Sequence, residues 1–404
     1  MLRQSGGLAE NTPLAAVSDL FSVIARGQIT RADLARETGI SRMTLGQRLG
    51  LLVDSGLVIE LAQTVPSGGR PTRMLGINPD FGVLLSADVG ESFIRLAVTD
   101  AQGTIRQQAQ YGYDRMDGPE AALELIVHGL KTLLQDLQPA PFPIGLGVSL
   151  PAPIDVKAGK VVGPSILYNW DDLDVVEWLS TRLDVPVVVE NDVNLMTLFE
   201  AVRSPGTSDH FMFIKVGTGI GSGLILDGHL YRGADGASGD IGHIQLNRDN
   251  APLCRCGKVG CLEAHAAGWA IARDLRAVGL EARDAHDVVR LVNQHVPEAI
   301  GLVRQAGRAV GEVVADAVSI LNPSTIRIGG TLGKTHEYLL AGVRERVYQR
   351  CLPLATSRLV IELAPPSDMA CLVGATISLR QKVFAGPFTG AMLERFQAWQ
   401  TGQA

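Results

Sequence analysis

The sequence predicts a winged helix-turn-helix head of the α+β class, followed by a larger, two-lobed α/β body. Three observations lead to this prediction. Helix patterns separated by short glycine turns, and then two strand patterns, fill residues 12–78. From residue 81, strand-like runs alternate with amphipathic helices, which is typical of layered α/β proteins. Two glycine-bearing strand turns, near residues 90 and 219, hint at a duplicated lobe.

The chain of 404 residues is long for a single core, so several domains are expected. We expect the head at residues 1–80 and the body at residues 81–404. Within the body, the first lobe is predicted at about 81–191 together with a C-terminal helix, and the second lobe at about 192–380.

The three helices of the head have recognisable start and stop residues. The first is predicted from Thr12 to Gly27, because Pro13 follows Thr12 as a first-turn proline. The second runs from the N-cap Thr30 to a glycine stop, and Ser41 is the N-cap of the third. Helix, short glycine turn and helix together have the spacing of a helix-turn-helix.

The third helix has the pattern of a recognition helix. At 100° per residue, Leu45, Leu49 and Leu52 share one face, which predicts an apolar back. The opposite face is short and polar and is flanked by arginines, which suits base edges and phosphates. The runs LVIEL and RMLGI then predict a hairpin wing with an arginine at its tip. The predicted DNA contacts are Arg42, Met43, Thr44, Gln47, Arg48 and Arg70; the alternative is a small packing domain.

Composition narrows the class of protein. Hydrophobic residues make up 46% and charged residues 19%, which describes a soluble globular protein. We expect no membrane partner, because no apolar run approaches the roughly 18 residues of a membrane span. The net charge is −6, with +1 on the head and −7 on the body. Only the head is therefore expected to bind nucleic acid. Five cysteines do not make a disulfide framework, which predicts the reducing cytoplasm.

One stretch, HIQLNRDNAPLCRCGKVGCLEAH, concentrates residue types that bind metals. His243, Cys254, Cys256 and Cys261 have the spacing His-x10-Cys-x-Cys-x4-Cys and supply four ligands for a closed tetrahedron. Such a site leaves no position for water, so the sequence predicts one structural Zn²⁺ per chain and disfavours hydrolytic zinc. The alternative is a cluster of thiols without metal.

Motifs of the body occur in a fixed order. DVGES at residues 88–92 and VGTGIGSG at 216–223 place glycines in strand turns, where backbone N–H groups can face phosphate oxygens. Each turn alone is weak evidence, but the ordered set is specific. The remaining motifs are SLPAP at 149–153, ENDVN at 190–194, GDIGH at 239–243 and CRCGKVGCLE at 254–263.

Together these motifs resemble the ROK family, named for repressors, open reading frames and sugar kinases. The resemblance covers essentially residues 12–380 and implies an actin-like ATPase fold. The head, which ends in GGRP, is similar to the repressor branch, typified by xylose, N-acetylglucosamine and glucose regulators.

The resemblance implies roles for single residues. It makes the four cluster residues the family's zinc ligands. Asp240 stands where the family usually has Glu, so its reach is one methylene shorter. The implied sugar contacts, whose carboxylates and amides suit vicinal hydroxyls, are Asn191, Asp192, Asp240, His243 and Glu263. The implied phosphate turns contain Asp88 and Gly90, and Gly217, Thr218, Gly219 and Gly221.

The first phosphate turn argues against an enzyme. In the family's kinases, the aspartate that matches Asp192 is the general base on the sugar hydroxyl. Here Glu91 replaces the second glycine and places a carboxylate where polyphosphate would lie. Two like charges at about 4 Å repel by roughly 1–4 kcal/mol, depending on the local dielectric. We therefore predict that the chain is not an enzyme.

The predicted function is a sugar-responsive, DNA-binding repressor of carbohydrate-utilisation genes, with the sugar bound between the two lobes of the zinc-stabilised body. Its predicted partners are a palindromic double-stranded operator, a small sugar effector, and further copies of the chain in a homodimer or tetramer. The first alternative is a sugar kinase with an accessory head and Asp192 as base. The second is a repressor controlled by a protein partner.

Overall fold

The computed structural model describes residues 17–65, 72–155, 158–163, 167–171, 173–204, 209–384 and 387–402. The predicted helix start at Thr12 and the wing residue Arg70 lie outside these ranges. The chain divides into two compact units. The first comprises Met1–Ala152, Val156–Glu190 and Ala375–Ala404, and the second comprises Pro153–Asp155 and Asn191–Gly374.

The head contains three helices and a small sheet, as predicted. Its elements are α1 (Ser18–Arg26), β1 (Ile29–Thr30), α2 (Arg31–Thr38), α3 (Arg42–Asp54), β2 (Val58–Val65) and β3 (Thr72–Ile77). Strands β2 and β3 pair antiparallel as the wing, in the sheet order β1-β3-β2. Both predicted N-caps are confirmed, because Thr30 Oγ1 accepts from Asp33 N at 3.1 Å and Ser41 Oγ accepts from Thr44 N at 3.2 Å.

The body begins with a mixed sheet. Its first elements are β4 (Val83–Val89), β5 (Phe93–Asp100), β6 (Ile105–Gly112), α4 (Gly118–Gln135), β7 (Pro143–Leu150), β8 (Ile154–Asp155), β9 (Lys160–Val161), α5 (Val175–Leu183) and β10 (Val187–Asn191). Five of these strands lie in the order β10-β7-β4-β5-β6, with β4 antiparallel to β5 and parallel to β7.

The second unit repeats this arrangement. Its elements are α6 (Asp192–Val202), β11 (His210–Val216), β12 (Ile220–Leu226), β13 (His229–Tyr231), α7 (Leu262–Ala266), α8 (Gly268–Ala277), α9 (Ala285–Asn293), α10 (Pro297–Leu321), β14 (Thr325–Gly329), α11 (Glu337–Arg350), α12 (Pro353–Thr356) and β15 (Val360–Leu363). The sheet order is β13-β12-β11-β14-β15, with β11 antiparallel to β12 and parallel to β14. The two glycine-bearing turns therefore occupy equivalent places, between β4 and β5 and between β11 and β12, which agrees with a duplicated lobe.

Two helices end the chain, α13 (Ala370–Val383) and α14 (Pro387–Gln400). Helix α13 begins in the second unit and ends in the first. The core of the first unit is continuous and includes Phe21 from the head, Ile144 from the first sheet and Leu393 from α14. In the described ranges, no helix is long and apolar enough to span a membrane.

Candidate functional site

Helix α3 has the two faces that its sequence predicts. Leu45, Leu49 and Leu52 are buried in the core of the head. On the other side Arg42, Gln47 and Arg48 are exposed, and Met43 is 77% exposed. Thr44 is half-buried, and its Oγ1 lies 2.9 Å from Ser41 Oγ, so this hydroxyl takes part in the helix cap.

The arginines in the described part of the head fall into two groups. Four of them form ion pairs with carboxylates: Arg26, Arg31, Arg36 and Arg73. Among the residues that the structure describes, Arg42 and Arg48 have no carboxylate partner. Their charges therefore remain available on the exposed face of α3, which phosphate contacts require.

The four residues of the cysteine-histidine cluster come together. One ligand atom from each of His243, Cys254, Cys256 and Cys261 lies within 4.8 Å of all the others. The Sγ atoms of Cys256 and Cys261 are 3.7 Å apart, and Cys254 Sγ lies 3.8 Å from His243 Nδ1. A tetrahedral zinc ion with Zn–S bonds of about 2.3 Å has S···S edges of about 3.8 Å. The donor set and its spacing therefore fit a four-coordinate metal.

Tight turns hold the three cysteines in place. Cys254 N donates to Lys258 O at 2.8 Å, and the residue before Lys258, Gly257, has a φ of +85° that favours glycine. Burial is the largest cause that raises the pKa of Cys254, and it raises the pKa of Cys261 to about 12. The thiols of Cys254 and Cys261 therefore stay protonated unless a cation displaces the proton, whereas hydrogen bonds to the backbone of Lys258 and to the other two cysteines lower the pKa of Cys256.

The segment before the cluster lies directly on strand β12. A Cβ atom on Gly239 would come within 2.0 Å of Ser222 O, and one on Gly242 within 2.2 Å of Ile220 O. Backbone contact of this kind leaves room only for glycine and fixes the position of the neighbouring His243. Asp240, between the two glycines, is exposed.

Glu263 connects the cluster to the second glycine turn. It lies on α7, two residues after the last cysteine, and is half-buried. Its Oε2 accepts from Ile220 N at 3.1 Å and its Oε1 from Trp269 Nε1 at 3.4 Å. A Cβ atom on Gly219 would lie 2.7 Å from Oε2. One carboxylate therefore fixes the start of β12 against α7.

The second glycine turn is closed by its own backbone. Gly217 N donates to Gly219 O at 2.9 Å, and Gly217 O accepts from Gly268 N at 2.7 Å. Thr218 is half-buried within this turn. Gly221 allows α6 to approach, because a Cβ atom there would lie 3.1 Å from a methyl group of Val193.

Asn191 and Asp192 lie at the start of helix α6 and make different contacts. The Oδ1 of Asn191 caps the helix by accepting from Val193 N at 2.9 Å and from Asn194 N at 3.4 Å. Asp192 is buried, and its Oδ2 accepts from Lys215 Nζ at 2.5 Å. The carboxylate is thus held by an ammonium group from β11.

Carboxylates of the first glycine turn face arginines. Asp88 is buried at the end of β4, and its Oδ2 lies 3.9 Å from Arg95 Nη1. Glu91 Oε2 lies 3.5 Å from Arg115 Nη1. The charge that Glu91 introduces into this turn is therefore partly neutralised.

An aromatic ring occupies the same turn. A Cβ atom on Gly90 would lie 2.5 Å from Cζ of Phe93. The guanidinium of Arg95 lies over that ring, 3.9 Å from its centroid. Gly90 is thus required by close packing against Phe93.

Comparison with known proteins identifies the family. The model of the ROK family matches residues 84–382. The chain belongs to the ROK family. The predicted fold class is thereby confirmed for the body, and the head lies before the matched ROK region.

Relatives include both repressors and kinases. The chain is 28% identical to the xylose repressor of Bacillus subtilis over 333 residues, which cover 82% of this chain and 85% of that protein. It is 27% identical to the glucokinase of Thermotoga maritima over 317 residues, 74% of this chain and 98% of that enzyme. A solved ROK transcriptional regulator, a homologue of the E. coli MLC protein, matches with a TM-score of 0.78 and 23% identity over 95% of this chain and 98% of its own. This likeness confirms the two-lobed fold with an N-terminal head.

The predicted ROK site residues are spread over both units. All five predicted sugar contacts lie in the second unit, together with the cluster and the second glycine turn, whereas Asp88 and Gly90 lie in the first. Sequence reasoning missed Lys215. Its signal was a single charge in the apolar strand FMFIKV, directly before the ROK glycine turn.

Proposed function

We propose that this chain is a sugar-responsive transcriptional repressor of carbohydrate-utilisation genes that works in the cytoplasm. The observation that carries the proposal is the exposed face of α3, where Arg42 and Arg48 have no carboxylate partner among the described residues. Support comes from the ROK body and from the similarity to xylose repressors, which extends over most of both chains. No hydrolytic or transfer chemistry is needed for this function.

The head would read DNA through α3. Arg42 and Arg48 would contact phosphates, while Gln47 and the exposed Met43 would face base edges, including the methyl group of thymine. Thr44 would reach a phosphate or base through a hydroxyl shared with the helix cap. Arg70 would contact DNA from the wing. A palindromic operator needs two heads, so the working form would be a homodimer or a tetramer.

The effector would be a small sugar bound by the second unit. Asn191, Asp192, Asp240, His243 and Glu263 offer carboxylates, an amide and an imidazole, which suit adjacent hydroxyl groups. Xylose is the first candidate, after the repressor relatives, and glucose is the second, after the kinase relative. A sugar that binds two states of the protein with different affinity shifts their populations and so changes operator affinity.

The cysteine-histidine cluster would hold one structural Zn²⁺. The fit rests on the Cys3His donor set, the S···S distance of 3.7 Å and the glycine turns around it. Four protein ligands leave no open position, so the metal would supply rigidity rather than an activated water. It would hold His243 and α7, and with α7 the carboxylate of Glu263, in fixed positions.

A sugar kinase is the second candidate. Asp192 at the start of α6 and the intact turn at residues 217–223 favour it. Two contacts weigh against it. The carboxylate that would accept the sugar proton is already bound to Lys215, and the first turn is occupied by the Glu91–Arg115 pair and by Phe93.

Operator selection from random duplex DNA tests the proposal, followed by fluorescence anisotropy at fixed salt with and without xylose, glucose and N-acetylmannosamine. We expect a specific site with an affinity at least about 1,000-fold above random DNA, and one sugar that weakens it at least about 10-fold. The absence of any selected site would contradict the DNA-binding proposal. ATP turnover with the same sugars, abolished by Asp192→Asn, would establish the kinase instead.

A further inference from the structure

The last helix of the chain packs against the first helix of the head. Ser22 Oγ on α1 lies 3.0 Å from Thr389 Oγ1 on α14, although 367 residues separate them. Both side chains are buried, with exposed fractions of 8% and 0%. A buried hydroxyl pair of this kind fixes the distance and the register between the two helices.

Aromatic rings extend this contact into the body. The ring of Phe21 on α1 lies 5.5 Å from that of Phe384, just after α13. Phe396 on α14 lies 5.5 Å from Phe81 and 5.3 Å from Phe142. All five rings are buried, so head, sheet and C-terminal helices share one core.

Polar contacts tie α14 to both sides. Arg395 donates to Ile144 O at 3.2 Å and to Asp184 O at 2.9 Å in the body. Gln400 Nε2 donates to Ser55 O, at the end of the recognition helix α3, at 3.1 Å. Helix α14 therefore contacts α1 and the end of α3 on one side, and the first sheet on the other.

The connection between head and body is short and structured. Only residues 78–82 separate β3 from β4. Within them, Asn78 Nδ2 donates to Gly56 O at 2.6 Å, and Pro79 O accepts from Ala101 N at 3.1 Å. The connecting residues are thus bound to head and body and do not form a flexible linker.

We propose that the head and the rest of the first unit move as one rigid body, and that α14 is the positioning element that sets the direction of α3. The proposal rests on the proposed repressor function. It implies that the sugar does not release the operator by undocking the head. When the sugar acts, each head of a dimer instead moves together with the rest of its first unit.

A disulfide between positions 22 and 389 tests this rigid docking. In the Ser22→Cys/Thr389→Cys variant, oxidised glutathione converts the two thiols into one disulfide and releases two reduced glutathione molecules. The variant is purified with its metal, and Ser22→Cys alone, treated identically, controls for the five native thiols. Mass spectrometry measures the crosslink, and anisotropy measures operator binding with and without the sugar that releases the native chain.

We expect the crosslink to form readily, operator affinity to stay within about 2-fold of the reduced form, and the sugar to release the operator by the same factor. Loss of the sugar response in the oxidised form would overturn the proposal, because the head would then have to leave α14. Failure of the crosslink to form would overturn it as well.

A truncated chain that ends at residue 384 tests the positioning role of α14. We expect operator affinity to fall at least about 30-fold while sugar binding, a property of the second unit, stays within about 3-fold. Unchanged operator affinity would refute the role of α14. If the truncated chain does not fold, Thr389→Val replaces it, with Thr401→Val as the matched exposed control. Hydrogen exchange of α1 should then rise in Thr389→Val alone, and equal exchange in both variants would refute the contact.

The repressor function and the docking of the head on α14 are tested by different outcomes. A native chain that binds no operator, or that ignores every sugar, contradicts the repressor proposal. In that case the yield of the crosslink still reports whether the head is docked on α14.

Discussion

Replacing Cys256 with alanine tests what the cysteine-histidine cluster contributes to sugar binding and to operator binding. Of its three cysteines, Cys256 is half-buried, whereas Cys254 and Cys261 are buried. Its Sγ lies 3.7 Å from that of Cys261 and takes part in the four-donor set. The substitution therefore removes one metal ligand at a small packing cost.

The expected loss of zinc affinity follows from the number of metal ligands. Structural zinc sites of this type bind with about 10–16 kcal/mol, so one of four ligands accounts for about 2.5–4 kcal/mol. We expect the zinc dissociation constant of Cys256→Ala to rise at least about 70-fold. The apolar group around the site is small, formed by Cys254, Cys261 and Ala264 with Trp269 packed against it. Without the metal, the loop depends mainly on its backbone hydrogen bonds, such as the one from Cys254 N to Lys258 O at 2.8 Å.

Loss of the metal should weaken sugar binding more than operator binding. Without the metal, His243 and α7 lose one of their anchors, and α7 carries Glu263, which fixes the start of β12. We expect sugar affinity to fall at least about 10-fold. Operator affinity should change by less than about 3-fold, because α3 belongs to the first unit.

Three measurements on one preparation decide the outcome. Competition with a chromophoric chelator gives zinc affinity, isothermal titration gives sugar affinity, and anisotropy gives operator affinity. Cys351→Ala is the matched control, since this thiol is also in the second unit but bonds to Ala315 O at 3.3 Å, outside the cluster. Wild-type zinc affinity in Cys256→Ala, or equal losses of sugar and operator binding, would refute the reasoning.

Three further predictions concern α3 and the Asp192 pair. Arg42→Ala and Arg48→Ala should each weaken operator binding and lower the slope of log K against log salt by about 0.9, while Arg36→Ala, whose partner is Asp33, should leave the slope unchanged. Lys215→Met leaves the buried Asp192 without its cation and should lower the free energy of unfolding, measured by urea titration. The expected loss is only about 1–3 kcal/mol, because 27% of the Lys215 side chain is exposed and water screens the pair. Adding Asp192→Asn to Lys215→Met should restore most of the lost stability, and no recovery would mean that the unpaired charge is not the cause. Ser41→Ala removes the N-cap of α3 and should lower the stability of the helix by about 1 kcal/mol. Amide hydrogen exchange at the start of α3 should then become faster, and unchanged exchange there would contradict the role of the cap.

Local rules explain what the sequence predicted well. The caps at Thr30 and Ser41 depend on residues only three positions away, so they can be recognised without knowledge of the fold. The apolar back of α3 depends on a spacing that any helix imposes. The cluster residues Cys254, Cys256 and Cys261 lie within eight positions of one another, so a short loop is enough to bring them together.

Contacts that depend on sheet register could not be predicted in this way. Lys215 meets Asp192 across 23 positions of sequence, and Arg115 meets Glu91 across 24. Both pairs need the tertiary fold to bring distant segments together, and for Lys215 a shift of one residue in its strand would turn the side chain to the opposite face. The sequence marks Lys215 as unusual within an apolar strand, but it does not name its partner.

The boundary near residue 80 shows how composition and packing can disagree. The change of pattern at residue 81 marks where strand-like runs begin to alternate with amphipathic helices, and it reflects chemistry along the chain. Burial of Phe21 instead depends on Phe384, and burial of Phe81 depends on Phe396, both more than 300 positions away. Aromatic pairs of this kind contribute about 0.5–1.5 kcal/mol each beyond the burial of their area. The core that holds the head is therefore shared between the two ends of the chain, as the proposed rigid docking of the head on α14 requires.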